Sequence, residues 1–240
     1  MALIGFVVLA ALVLVVSFAF MAALQRHMDL EPSWYGLMVL GSATVVASWL
    51  VVMGVLSVHS ALFLPEQMSE SALRTRYDVV FILTFLLGVS LEAFKSYAVK
   101  VFDTRFNRGD WTLYGLAVGA GAGLIQAMWY LGSRVWTVLA GLDEVGASDW
   151  WLLLRCALVI VMEAVLAAVV MYQTARDNRW EAVWWFGAAH GLVLMLPTFV
   201  ALVPGMETSH MWTGSGFAAL VTAGAGLLLW RWVKIQGWPT

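Results

Sequence analysis

Charge is what this sequence has least of. Asp, Glu, Lys and Arg make up 12% of its 240 residues, against roughly 25% in a soluble globular domain, and that deficit excludes a water-soluble fold. The formal charge of −2 leaves no broad basic surface, which argues against nucleic acid as a partner. No run of lysines suggests electrostatic attachment to a lipid surface. Cysteine is reduced to Cys156, inside an apolar run, so one chain can build neither a disulfide framework nor a cysteine-based zinc site. Proline is scarce, and Pro197 is its single clear case inside an apolar segment. The first apolar stretch, Ala2 to Leu24, has no basic residues ahead of it and exceeds the about 7–15 residues of a signal-peptide core. It reads as a retained span.

What the chain has in abundance is apolar sequence, with 62% hydrophobic residues. A hydrocarbon core about 30 Å thick needs about 20 apolar helical residues. Blocks of that length occur at 2–24, 36–62, 78–101, 112–133, 150–174, 181–203 and 211–233. The expectation is an all-α polytopic membrane protein, one domain of seven transmembrane helices over residues 1–240. The breaks, Arg26 to Pro32, Pro65 to Arg76, Asp103 to Asp110, Asp143 to Asp149, Arg176 to Asn178 and Pro204 to Ser209, carry turn-forming and charged residues and are too short for a soluble domain.

Positively charged loops stay cytoplasmic. With the N-terminus outside and the C-terminus in the cytoplasm, the inner side holds Arg26, Lys100, Arg105, Arg108, Arg176, Arg179, Arg231 and Lys234, and the outer side Arg74, Arg76 and Arg134. That distribution selects this orientation; the expected location is a plasma (inner) membrane. Trp111, Trp180, Trp184, Trp230 and Trp232 then fall near the inner interface, and Trp136, Trp150, Trp151 and Trp212 near the outer one, as an aromatic belt requires.

Polar residues at membrane depth are the functional leads: Glu92, Lys95, Gln126, Glu163 and His190. A charged group near the bilayer centre costs about 2.5–3.5 kcal/mol, so such residues face the bundle interior and find partners. Counting from the cytoplasmic ends at about 1.5 Å per residue, Glu92, Glu163 and His190 share one layer, with Gln126 somewhat deeper. Two carboxylates and an imidazole are ligands that zinc accepts, with a position left for water. The structural alternative is equally open: Glu92 and Lys95 are spaced i, i+3 and can neutralise each other, while Glu163 and His190 can pair between helices. Gly115, Gly119 and Gly123 form two overlapping GxxxG steps, a flat strip for a neighbouring helix, in this chain or another. Arg155 is expected to snorkel to the interface, and His27, His59 and His210, near loop ends, to be solvated.

In order, the polar positions read Leu91-Glu92-Ala93-Phe94-Lys95, then the glycine helix Gly115, Gly119, Gly121, Gly123 ending at Gln126, then Arg155 with Glu163, then Ala189-His190-Gly191. From about residue 78 onward this order resembles the intramembrane protease clan of PrsW-type and YhfC-type proteins and the Aph subunit of γ-secretase. The resemblance implies a metal-activated water attacking a peptide bond within the membrane, with a motif glutamate as base. Carried onto this chain, it matches Glu92 and Lys95 to the second glutamate and basic residue of a Glu-Glu-x-x-Lys/Arg motif. Leu91 stands in place of the first glutamate, Gln126 in place of a glutamate, and Glu163 in place of a histidine; His190 is retained. The Aph subunit similarly keeps the second acidic position and the double GxxxG, and it serves as a scaffold.

The resemblance therefore implies a degenerate active site: a pseudoenzyme acting as scaffold or helix-binding subunit, without a cofactor. Its partners would be the lipid bilayer and transmembrane helices of another membrane protein or a second copy. A rival expectation is an active metalloprotease in which Glu163, His190 and Glu92 hold zinc, with Glu92 and Lys95 catalytic. A third is an ion-coupled transporter, since buried Glu, Lys and His also mark ion pathways, although the halves show no internal repeat.

Overall fold

The computed structural model describes residues 2–27, 33–63, 77–103, 111–142, 144–177, 181–201 and 210–236, and every regular element among them is an α-helix. In chain order these are α1 (Ala2–His27), α2 (Ser33–Phe63), α3 (Tyr77–Asp103), α4 (Trp111–Leu139), α5 (Ala147–Asp177), α6 (Glu181–Ala201) and α7 (His210–Gln236). Four of them contain stretches long and apolar enough to cross a membrane: Tyr35–Leu62 in α2, Asp78–Val101 in α3, Asp149–Thr174 in α5 and Ser215–Ile235 in α7. The chain is read as a membrane protein on that ground. The expected breaks at 28–32, 65–76, 104–110, 178 and 204–209 lie outside the described residues, as do Arg74, Arg76, Arg105, Arg108 and Arg179, the last two residues of the sixth expected span, and Trp180.

α4 lies at the centre, with α2 against one face and α5 against the other. Glycine makes both crossings possible. A Cβ added at Gly121 would meet the backbone carbonyl of Met38 in α2, and one added at Gly119 the carbonyl of Glu163 in α5. Close backbone approach of this kind gives van der Waals contact where no hydrophobic effect drives association. α3 meets α6 by the same means: Gly88 sits against the backbone of Gly191, and a Cβ on Gly191 would lie 2.8 Å from the Phe85 Cα. α7 packs on α5 and α6 through Met162, Leu166, Val169, Val193, Ala218 and Ala225, with Tyr172 stacked on Trp232 at 5.8 Å. α1 covers α4 and α5, Phe6 and Ala10 meeting Ala127, Leu131, Leu153 and Cys156.

The outward faces are apolar. Val39, Leu50, Trp185 and Leu220 are all exposed, an arrangement that acyl chains accommodate and water does not.

The connection between α4 and α5 is tied at several points. Gly141 takes a left-handed φ of 70° just past the end of α4, a conformation that costs a residue with a Cβ. Arg134 near that end donates through Nε to Asp149 Oδ1 at 2.5 Å and through Nη2 to Oδ2 at 3.0 Å and to the Glu144 carbonyl at 2.8 Å. Asp149, in the first turn of α5, also accepts from the Gly146 amide at 2.8 Å. A carboxylate there favours the positive end of the helix dipole.

Candidate functional site

The i, i+3 spacing of Glu92 and Lys95 puts both on one face of α3. The Gly88 crossing brings α6 against that helix, with His190 next to Gly191 on the approaching side. On the other side of the site, the glycine strip of α4 admits α5. Gly115 backs onto Ala167, Gly119 onto the Glu163 carbonyl, and a Cβ at Gly123 would lie 3.2 Å from the Glu163 Cβ. One turn beyond Gly123, Gln126 reaches the Glu163 carboxylate. Two glycine-mediated crossings thus deliver polar groups from four helices to one place.

There the five side chains form a connected network. Lys95 Nζ donates to Glu92 Oε1 at 2.6 Å and to Glu163 Oε2 at 2.6 Å. Gln126 Nε2 donates to Glu163 Oε1 at 2.5 Å. His190 Nδ1 lies 3.1 Å from Glu92 Oε1, a hydrogen bond when that nitrogen carries the proton. His190 Nε2 lies 3.1 Å from Glu163 Oε1, close enough for an ion pair but off the line a hydrogen bond needs. Nε2 and Glu92 Oε2 therefore have no hydrogen-bond partner. Glu92, Glu163 and His190 are fully enclosed, so every interaction here acts in a medium of low dielectric.

Both local pairings expected from the sequence occur, Glu92 with Lys95 and Glu163 with His190, within a single cluster. The reach of Lys95 across to Glu163 was not expected. Sequence spacing holds no signal for it, because the two residues lie on different helices. Leu91 is also fully buried, but it belongs to an apolar cluster with Val45, Val52, Leu87 and Ala122 rather than to the network. The strip of Gly115, Gly119 and Gly123 is covered by α5 of the same chain.

Two further contacts add to what the sequence suggests. His59 is not simply solvated: its Nε2 lies 3.0 Å from Asp78 Oδ2, joining the end of α2 to the start of α3. Arg155, besides lying near a helix end, sits over the Tyr130 ring at 5.8 Å from its centroid, a cation–π contact. The side chains of His27 and His210 lie outside the described residues.

Glu92, Glu163 and His190 can each offer one ligand atom, all within 4.8 Å of one another, and a zinc ion needs its ligands at about 2.0–2.2 Å. The donor types suit such an ion, and the unpartnered Glu92 Oε2 and His190 Nε2 are atoms it could use. Against this stands the Lys95 ammonium, already bonded to both carboxylates. Comparisons with protein families, with curated proteins and with solved structures return no match to this chain.

Proposed function

We propose that this chain is a non-catalytic integral membrane scaffold that crosses the bilayer seven times, with its N-terminus outside and its C-terminus in the cytoplasm, and binds transmembrane helices through its outer surface. The observation that carries this reading is the Lys95 ammonium donating to both Glu92 and Glu163 at 2.6 Å. A carboxylate bonded to a buried ammonium is a poor general base, and Leu91 offers no replacement. The network then serves as a clasp holding α3, α4, α5 and α6 in one arrangement. The orientation rests on the excess of Lys and Arg on the cytoplasmic side.

Because α5 covers the glycine strip of α4, a partner helix needs another face. α7 supplies one: Gly216, Ala223 and Gly224 are exposed, and a Cβ added at either glycine would meet nothing within 4 Å. Small exposed residues let a second helix approach closely on either side of Leu220, the exposed side chain between the two glycines. The test is to isolate the wild-type chain and Gly224→Leu from native membranes in mild detergent and measure mass and thermal stability. A stoichiometric membrane partner or second copy, lost in Gly224→Leu at unchanged stability, supports the reading. A wild-type monomer sinks it.

The second reading is an intramembrane metalloprotease with zinc on Glu92, Glu163 and His190. The proximity of their ligand atoms favours it. Zinc would there polarise a carbonyl and activate water, while Lys95 would orient the carboxylates. About one zinc per purified wild-type chain, lost in Glu163→Gln, would select this reading over the first.

A further inference from the structure

We infer that Lys95 is a built-in substitute for a metal ion, and that its removal uncovers a binding site for a divalent transition-metal cation made by Glu92, Glu163 and His190. The inference rests on the non-catalytic reading and extends it to the chemistry of the same site. Its first support is position. The ammonium lies 2.6 Å from one oxygen of each carboxylate, between the groups that an ion would have to bridge. His190 closes the set, with Nδ1 3.1 Å from Glu92 Oε1 and Nε2 3.1 Å from Glu163 Oε1.

The second support is charge. Two carboxylates and one ammonium leave the enclosed cluster with a single net negative charge, which one proton on the imidazole would cancel. A divalent cation added beside Lys95 would overshoot and leave an uncompensated positive charge, expensive in a low-dielectric interior. Without Lys95 the same cation would balance the carboxylates. Lysine and a divalent ion are therefore alternatives here.

The third support is the pair of atoms that Lys95 does not satisfy. Glu92 Oε2 and His190 Nε2 are buried without hydrogen-bond partners. Both are good ligand atoms for a borderline ion such as zinc or cobalt, and the imidazole disfavours magnesium and calcium, which prefer all-oxygen shells. Three protein ligands plus a water would complete a four-coordinate site.

The experiment uses the full chain in lipid nanodiscs, stripped of metal and titrated with cobalt while its visible absorption is followed. Lys95→Ala is the variant, since alanine clears the volume an ion would take. It should develop a cobalt band saturating at about one ion per chain, with affinity at least about a hundred-fold above wild type, as expected when one uncompensated buried charge is avoided. The band should vanish when His190→Ala or Glu163→Gln is added. Lys95→Arg, which keeps the charge, should show none. Zinc should raise the melting temperature of Lys95→Ala and not of wild type.

A folded Lys95→Ala that binds no cobalt overturns the inference and leaves the scaffold reading standing. Wild-type binding as tight as the variant's, lost on His190→Ala, overturns both. If Lys95→Ala fails to fold, zinc supplied during purification should restore it; failure of that rescue also overturns the inference.

Discussion

Lys95 Nζ and Glu163 Oε2 lie 2.6 Å apart, joining α3 to α5 with both side chains essentially inaccessible. Removing one partner of a buried pair leaves the other charge uncompensated, at a cost of about 3–5 kcal/mol in soluble proteins. Here the two partners are not equivalent. Lys95→Met strands two carboxylates, whereas Glu163→Gln leaves Lys95 paired with Glu92 and removes a charge from the net. Lys95→Met should therefore be the more destabilising, by about 2 kcal/mol, in denaturation of the purified protein in micelles. Equal effects would mean that the ammonium does not serve both carboxylates.

The glycine crossing behind Glu163 gives a second prediction. Gly119→Ala drives a methyl group into the backbone of α5, which cannot move away as a side chain can. It should cost about 2–3 kcal/mol and weaken any readout that depends on Glu163. Gly132→Ala, later on the same helix, meets nothing within 4 Å, and should be neutral or stabilise by up to about 1 kcal/mol through helix propensity. Thermal melts of the two variants side by side check the contrast.

Leu91 precedes Glu92 on α3, and its surroundings predict what a second carboxylate there would do. Leu91→Glu places an ionisable group among Val45, Val52, Leu87 and Ala122, one turn before Lys95, whose ammonium is already bonded to Glu92 and Glu163. The expected loss is about 2.5–3.5 kcal/mol, with no gain of peptide-bond hydrolysis. A Leu91→Glu protein as stable as wild type would show that this position faces the polar network instead.

The clasp between Arg134 and Asp149 should be worth less, because it borders the loop and the Arg134 side chain is 18% exposed. Arg134→Ala removes a bidentate pair and the bond to the Glu144 carbonyl, for about 1–2 kcal/mol. The effect should be local. Amide hydrogen exchange should accelerate at residues 140–146 while the centre of α4 stays protected; uniform acceleration would mean that the clasp supports the whole bundle.

Helix positions were legible because hydropathy is a local property. A largely apolar run such as Val45–Val58 or Ala164–Met171 needs no knowledge of its neighbours to be excluded from water. The same reasoning put Glu92, Glu163 and His190 in one layer, since depth follows from counting along a helix. His59 shows where counting fails. Its position near a helix end suggested solvation, yet Asp78 of the next helix lies 3.0 Å away, a contact fixed by how α2 and α3 meet. The glycine strip is a related case: the sequence marks it as a close-packing face but does not say whose helix fills it.

By itself the sequence determined that this chain is helical, apolar and built around a few interior charges, because each of those properties is set residue by residue against lipid or water. The tertiary structure alone decided which charges meet. Whether Lys95 serves Glu92 only, or Glu163 as well, depends on the rotation and crossing of α3, α4 and α5, and the backbone approaches at Gly88 and Gly119 fix those to within the length of a hydrogen bond.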